Sequence, residues 1–110
     1  MTERLYLVYV TAGNLEEAQK IARTLVQERL VACANVYPQI YSYYWWEGEV
    51  QEDQEVSMIL KTRGGLMDEL IQRIKELHSY SCPCIVALPI EEGAEDFCAW
   101  ILKETNFSPA

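Results

Sequence analysis

The nine residues "HSYSCPCIV", His78 to Val86, hold the chain's only histidine, two of its four cysteines and the proline between them. Imidazole and thiolate together suit a soft cation such as copper or zinc. His78 and Cys84 are therefore candidate metal ligands, with Cys82 beside them and Cys33 far off in the chain. Two donors from one segment do not make a strong site, so a neighbouring subunit is the expected source of the rest. A competing reading gives each residue a structural task. His78 ends a helical stretch, where a ring nitrogen can bond a terminal carbonyl. Cys33, at the start of a strand, and the other cysteines can pack as small hydrophobes.

Redox chemistry within Cys82-Pro83-Cys84 is disfavoured by geometry. Pro83 biases Cys82 toward extended backbone. Across an extended Cys-x-Cys the Cα atoms lie ~6.6 Å apart, at about 3.3 Å per residue. The Cβ atoms then stay beyond the ~3.5–4.5 Å of a disulfide. Other catalytic patterns fail as well. "TRGG", Thr62 to Gly65, is followed by no P-loop lysine and hydroxyl. No serine lies in a nucleophile elbow. Glu55 and Lys61 read as an ion pair across a subunit boundary rather than an acid–base couple. Tyr44, Trp45 and Trp46 can stack a ligand, although interface packing accounts for them more cheaply. The expectation is a protein without catalysis and without an obligatory cofactor.

These residues need elements to hold them. "RLYLVYVTA", Arg4 to Ala12, is apolar on both parities and reads as a buried strand. "GNLEEAQKIARTLVQERL" follows with helical spacing, Asn14 as its cap and Glu17 completing a capping box. The stretch Cys33 to Trp46 is too aromatic and β-branched for a helix, and its Pro38 belongs at a sheet edge or a bulge. Glu47-Gly48 marks a turn, and Glu55 to Thr62 returns as a strand, so residues 39–62 form a long hairpin. "GGLMDELIQRIKEL" is a second helix, Cys84 to Ile90 a fourth strand and residues 94–104 a closing helix. The order predicts a single α+β domain over 1–110, a ferredoxin-like βαββαβ sandwich with a long central hairpin and a C-terminal helix.

Helices on one sheet face leave a difficulty. The hairpin is apolar on both sides, with Tyr41, Tyr43 and Trp45 on one and Tyr44 and Trp46 on the other. An exposed patch of that size predicts an oligomer that buries the second face. The alternative is a strand that projects past the sheet and packs on the terminal helix.

Four segments, in order, resemble the divalent-cation tolerance protein CutA family: "RLVACANV", "SYYWWEGEV", "ILKT" and "LHSYSCP". The likeness runs from about Leu5 to Leu102. It implies a cytoplasmic homotrimer of ferredoxin-like subunits, linked to copper and other divalent cations and similar in fold to the PII signalling proteins. Carried over by position, it marks Cys33, Asn35, Tyr44, Trp46, Gly48, Glu55, Lys61, Thr62, His78, Tyr80 and Pro83. Of these, Tyr44, Trp46, Glu55, Lys61 and Tyr80 are expected at the trimer interface or its clefts. The family usually has glutamate after the proline, where this chain has Cys84. Thiolate there would turn the preference toward Cu(I) and zinc.

The whole-chain properties agree. A net charge of −8 disfavours nucleic-acid and anionic-membrane partners. No apolar run approaches the roughly 20 residues of a membrane span. Acid and base within the first four residues, with no small-residue cleavage site, do not resemble a signal peptide, so a cytoplasmic setting is expected.

Overall fold

The structure, a computed structural model, describes residues 3–106. Strand β1 (Leu5–Ala12) leads into helix α1 (Leu15–Gln27). Strands β2 (Cys33–Trp46) and β3 (Glu49–Arg63) form the long hairpin. A 3₁₀ turn at Gly64–Leu66 opens helix α2 (Met67–Leu77), followed by strand β4 (Ile85–Pro89) and helix α3 (Glu95–Glu104). The four strands make one antiparallel sheet in the order β2-β3-β1-β4. This is the split βαβ order the sequence predicts, with three helices on four strands.

Strand parity sorts the side chains. Val8, Val10 and Ala12 of β1 lie beside Leu60, Met58 and Val56 of β3, and all six are buried. Against this face α1 and α2 set Ile21, Leu25, Leu70 and Ile74, each fully inaccessible. Burying one such side chain contributes about 1.5–3 kcal/mol, which is why the apolar stripes of the two helices settle there. Asn14 caps α1 as expected, its Oδ1 accepting the Glu17 N–H at 2.8 Å.

The opposite face is only partly covered. Leu5, Ala32 and Ile101 make a second small core, with Cys98 packed against it, so α3 sits on the face that α1 and α2 leave open. Cys98 thus has the packing role the sequence gives it. Gly93 lets the chain pass its sulfur, because a Cβ at 93 would meet Sγ at 2.9 Å. Arg63, itself buried, fastens the end of α3: Nε donates to Thr105 Oγ1 at 2.9 Å, and the guanidinium also reaches the Leu102 carbonyl and Glu3.

The hairpin extends beyond the sheet. β1 pairs with Val56 to Arg63 only, so the ladder from Ile40 with Glu55 to Trp46 with Glu49 is a two-stranded ribbon. The molecule measures 46 × 26 × 24 Å along its principal axes as a result. The register shift between Tyr37 and Ile40 falls at Pro38, on an edge strand, where a missing N–H is tolerated. Glu47 (φ 52°) and Gly48 (φ 81°) close the ribbon in a two-residue turn with both central residues left-handed. The terminal helix lies at the far end of β3 from this tip, by Arg63, so it does not cover the ribbon.

Candidate functional site

A cleft of about 580 Å³ opens where the ribbon leaves the sheet. Its floor is Tyr9 and Thr11 of β1, on the face away from α1 and α2. The ribbon supplies Ser42, Tyr44, Trp46 and Glu55, and the α2–β4 connection supplies Tyr80, Cys82 and Cys84. Alternation along β2 and β3 explains the first set, because Ser42, Tyr44 and Trp46 pair with Asp53, Gln51 and Glu49 on the parity that includes Glu55. The bend at Ser81 and Cys82, ahead of Pro83, turns the last set in.

Glu55 is the buried acid of this cleft, only 9% exposed. Its Oε2 accepts the Tyr80 hydroxyl at 2.8 Å. Burial, and then this bond to a carboxylate, hold the Tyr80 phenol well above its usual range. Tyr44 donates to Asp53 Oδ2, and that bond raises the Tyr44 phenol also. The Cys84 thiol is pushed up by partial desolvation in the cleft and by the Glu55 charge, against a hydrogen bond to Thr11. Cys84 rests as a thiol, and binding as thiolate must release a proton.

His78 is not in the cleft. Its side chain is fully inaccessible, and both ring nitrogens are engaged. Nε2 donates to the Thr11 carbonyl at 2.7 Å, and Nδ1 accepts the Tyr80 N–H at 3.1 Å. This pattern fixes the neutral Nε2–H tautomer and leaves no lone pair for a metal. The structure thus does not bring His78 together with Cys82 and Cys84 in the cleft. The histidine ties the end of α2 to the end of β1, rather than to a carbonyl of its own helix. Glu17 helps from α1, accepting the Ser79 N–H at 2.7 Å and its hydroxyl at 3.0 Å. The Glu17 carboxylate is thus turned to Ser79, so the capping box is only half made.

The expected ligands also separate in space. Cys33 sits on β2 opposite Lys61, three strand spacings or roughly 14 Å from the β4 edge that follows Cys84. Lys61 donates from Nζ to Asn35 Oδ1 at 2.6 Å and lies six residues, roughly 20 Å, along β3 from Glu55. The two are not an ion pair within one chain. All four cysteines are free. Among the described residues, no three of His, Cys, Asp and Glu converge as a metal-binding group. The cleft does gather Tyr44, Trp46, Glu55, Tyr80, Cys82 and Cys84. Sequence reasoning misses Tyr9, Thr11, Ser42 and Asp53, because a strand apolar on both parities does not declare which face it turns to a cleft.

Comparison with known proteins places this geometry. The family model of the CutA1 divalent ion tolerance protein matches residues 6–104. The divalent-cation tolerance protein CutA of Pyrococcus horikoshii is 46% identical over 102 residues, covering 93% of this chain and 99% of that protein. The solved structure of the Thermus thermophilus divalent cation tolerance protein superposes with a TM-score of 0.91 at 43% identity, over 93% of this chain and 99% of that one. The Archaeoglobus fulgidus structure, described as a periplasmic divalent cation tolerance protein, gives 0.88 at 42% identity over 91% and 97%. Family names of this kind record tolerance rather than a reaction. With the sheet order, the ribbon and the matched residues in agreement, this chain belongs to the CutA1 divalent ion tolerance protein family.

Proposed function

We propose that the chain works as a cytoplasmic homotrimer in divalent-cation tolerance, binding copper or another divalent cation without catalysis. The observation that carries this reading is the cleft that Glu55, Cys82 and Cys84 all line, although the three do not converge within one chain. A carboxylate and two sulfurs from one subunit are too few for a closed site, so the remaining donors come from the neighbour whose surface meets the ribbon. Thiol donors favour Cu(I) over harder ions. The trimer rests on a separate observation. Val86 and Leu88 are 52% and 59% exposed on the open sheet face, and the ribbon carries Tyr41, Tyr43, Trp45 and Val50 uncovered. A two-stranded ribbon is marginal alone and needs a partner to pack on.

Anaerobic titration of the reduced protein with Cu(I), against a competing chelator, tests the site. Cys84→Ser should weaken binding at least tenfold, and affinity should rise with pH as the raised thiol deprotonates. Weak binding that ignores the substitution would remove the cleft as the metal site. A second reading, a PII-like regulatory trimer that binds a small molecule, is favoured by the size of the cleft, which is that of an organic ligand pocket.

A further inference from the structure

His78 stands where one ring nitrogen has two partners to choose from. Its side chain is inaccessible within a single chain, so a neighbour laid over the ribbon and the open sheet face leaves its surroundings as they are. β1 holds one side of the ring, where the Thr11 carbonyl accepts from Nε2 at 2.7 Å. That bond serves the neutral and the charged ring alike, because Nε2 carries a proton in both. Nδ1 faces two groups: the Tyr80 N–H, which donates to it at 3.1 Å, and Glu17 Oε2, brought by α1 to 3.6 Å. The N–H suits a neutral ring only, and the carboxylate suits an imidazolium. Burial pushes the Glu17 carboxyl up, yet the hydrogen bonds from Ser79 bring it below the ordinary range. Glu17 is therefore still a carboxylate at about pH 5 to 8, where imidazole as a class changes charge. The other titratable groups stand one contact further off. The Tyr80 ring lies 4.8 Å from the His78 ring, its hydroxyl donates to Glu55 of β3 at 2.8 Å, and the Cys84 thiol bonds Thr11.

We propose that His78 is a proton-driven latch on the α2–β4 connection: as pH falls, Nδ1 takes a proton from solvent, gives up the Tyr80 N–H and turns to Glu17, while Nε2 stays on Thr11. Tyr80 then loses the bond that sets its backbone, and its hydroxyl leaves Glu55. The segment from Tyr80 to Cys84 loosens, and Tyr80 and Glu55 are residues expected at the subunit boundary. The acid form lasts only while Glu17 is ionised, so the latch works between the imidazole range and the lowered Glu17 value. It involves no metal and does not rest on the proposed cation binding.

The chain's single histidine makes the test direct. Isotopic labelling of the histidine ring nitrogens in the full, metal-free protein gives one pair of magnetic-resonance signals. At about pH 8 they should report the Nε2–H tautomer, and by about pH 5 a protonated Nδ1 in a chain that is still folded. Over the same step the Tyr80 amide should lose at least tenfold of its protection against hydrogen exchange, corrected for intrinsic rate, while α1 keeps its own. Glu17→Gln, which removes the charge, should lower the midpoint of the ring signals by about one pH unit. His78→Gln should make the Tyr80 protection independent of pH over this range. A ring that stays neutral until the chain unfolds, a protonated ring with Tyr80 still protected, or a midpoint indifferent to Glu17→Gln would overturn the proposal. If Glu17→Gln does not fold, the parent's ring signals and its Tyr80 amide decide the matter.

Discussion

His78 shows how a residue type can suggest chemistry that its surroundings withdraw. A lone histidine beside two cysteines reads as a ligand, but the Thr11 carbonyl and the Tyr80 N–H claim both its nitrogens. Those partners come from β1 and from two residues on, and only the folded register brings the first of them near. The substitution His78→Ala should therefore act on stability. Leaving the buried Thr11 carbonyl unpaired costs about 1–3 kcal/mol. Urea unfolding should show that loss while Cu(I) affinity stays within twofold; a large loss of affinity at unchanged stability would restore the histidine to the site. Glu17 gives a pH signature in the same network. Burial raises its carboxyl, but the two Ser79 bonds outweigh that and hold it below the ordinary range. A depressed folded-state value means the stabilisation is complete above the ordinary carboxyl range, from about pH 5 upward. It is lost as pH falls through the lowered value. The unfolding midpoint should drop as pH falls from about 5 to about 3, and less steeply in Glu17→Gln.

At the scale of elements, what the sequence made legible was the periodicity. Both long helices, the hairpin and the bulge at Pro38 follow from spacing and from proline's missing donor. Ends were less legible, for local reasons. α2 begins with a 3₁₀ turn because Gly64 passes closely over β1, its N–H bonding the Arg4 carbonyl at 2.8 Å. β3 starts at Glu49, six residues before the Glu55 where the sequence opens the strand, since ribbon pairing asks only for a partner strand and not for burial. β4 begins at Ile85 rather than Cys84 because the cleft bend occupies the residues before it. The placement of α3 was not legible at all: its anchor is Arg63, whose contacts are long-range. Arg63→Met should free the end of α3 and expose its backbone amides, and hydrogen exchange over residues 95–104 should accelerate at least tenfold relative to α1. At the ribbon tip, Glu47 holds φ 52° against the preference of a side chain with a Cβ. Asn is far better suited to that position, so Glu47→Asn should stabilise the protein by about 0.5–1 kcal/mol, read by thermal or denaturant unfolding.

The whole molecule has one well-packed side and one waiting side. α1 and α2 close the first, α3 closes a corner of the second, and the ribbon stands clear of both. Charge adds little to this division, since a net −8 repels copies of the chain and apolar burial must overcome it. A trimer should therefore tighten with salt over the range that screens this repulsion, roughly 0.01–0.15 M. Light scattering at these two salt concentrations checks the mass, and an unfolding temperature that rises with protein concentration checks the linkage. A monomer at both concentrations, with a concentration-independent unfolding temperature, would leave the open face without its expected cover. The sheet order also bears on how the chain is made. β1 is a central strand, yet both of its neighbours are synthesised after it, β3 past the middle and β4 only at Ile85–Pro89. At ~5–20 residues per second, a ribosome takes roughly 4–15 s to travel from Ala12 to Pro89. The β2–β3 hairpin can close during that interval and offer β1 one edge at Val56 to Arg63, whereas its other edge stays open until β4 is made. Its protection until then falls to the crowded exit of the ribosome and to whatever holds nascent chains there.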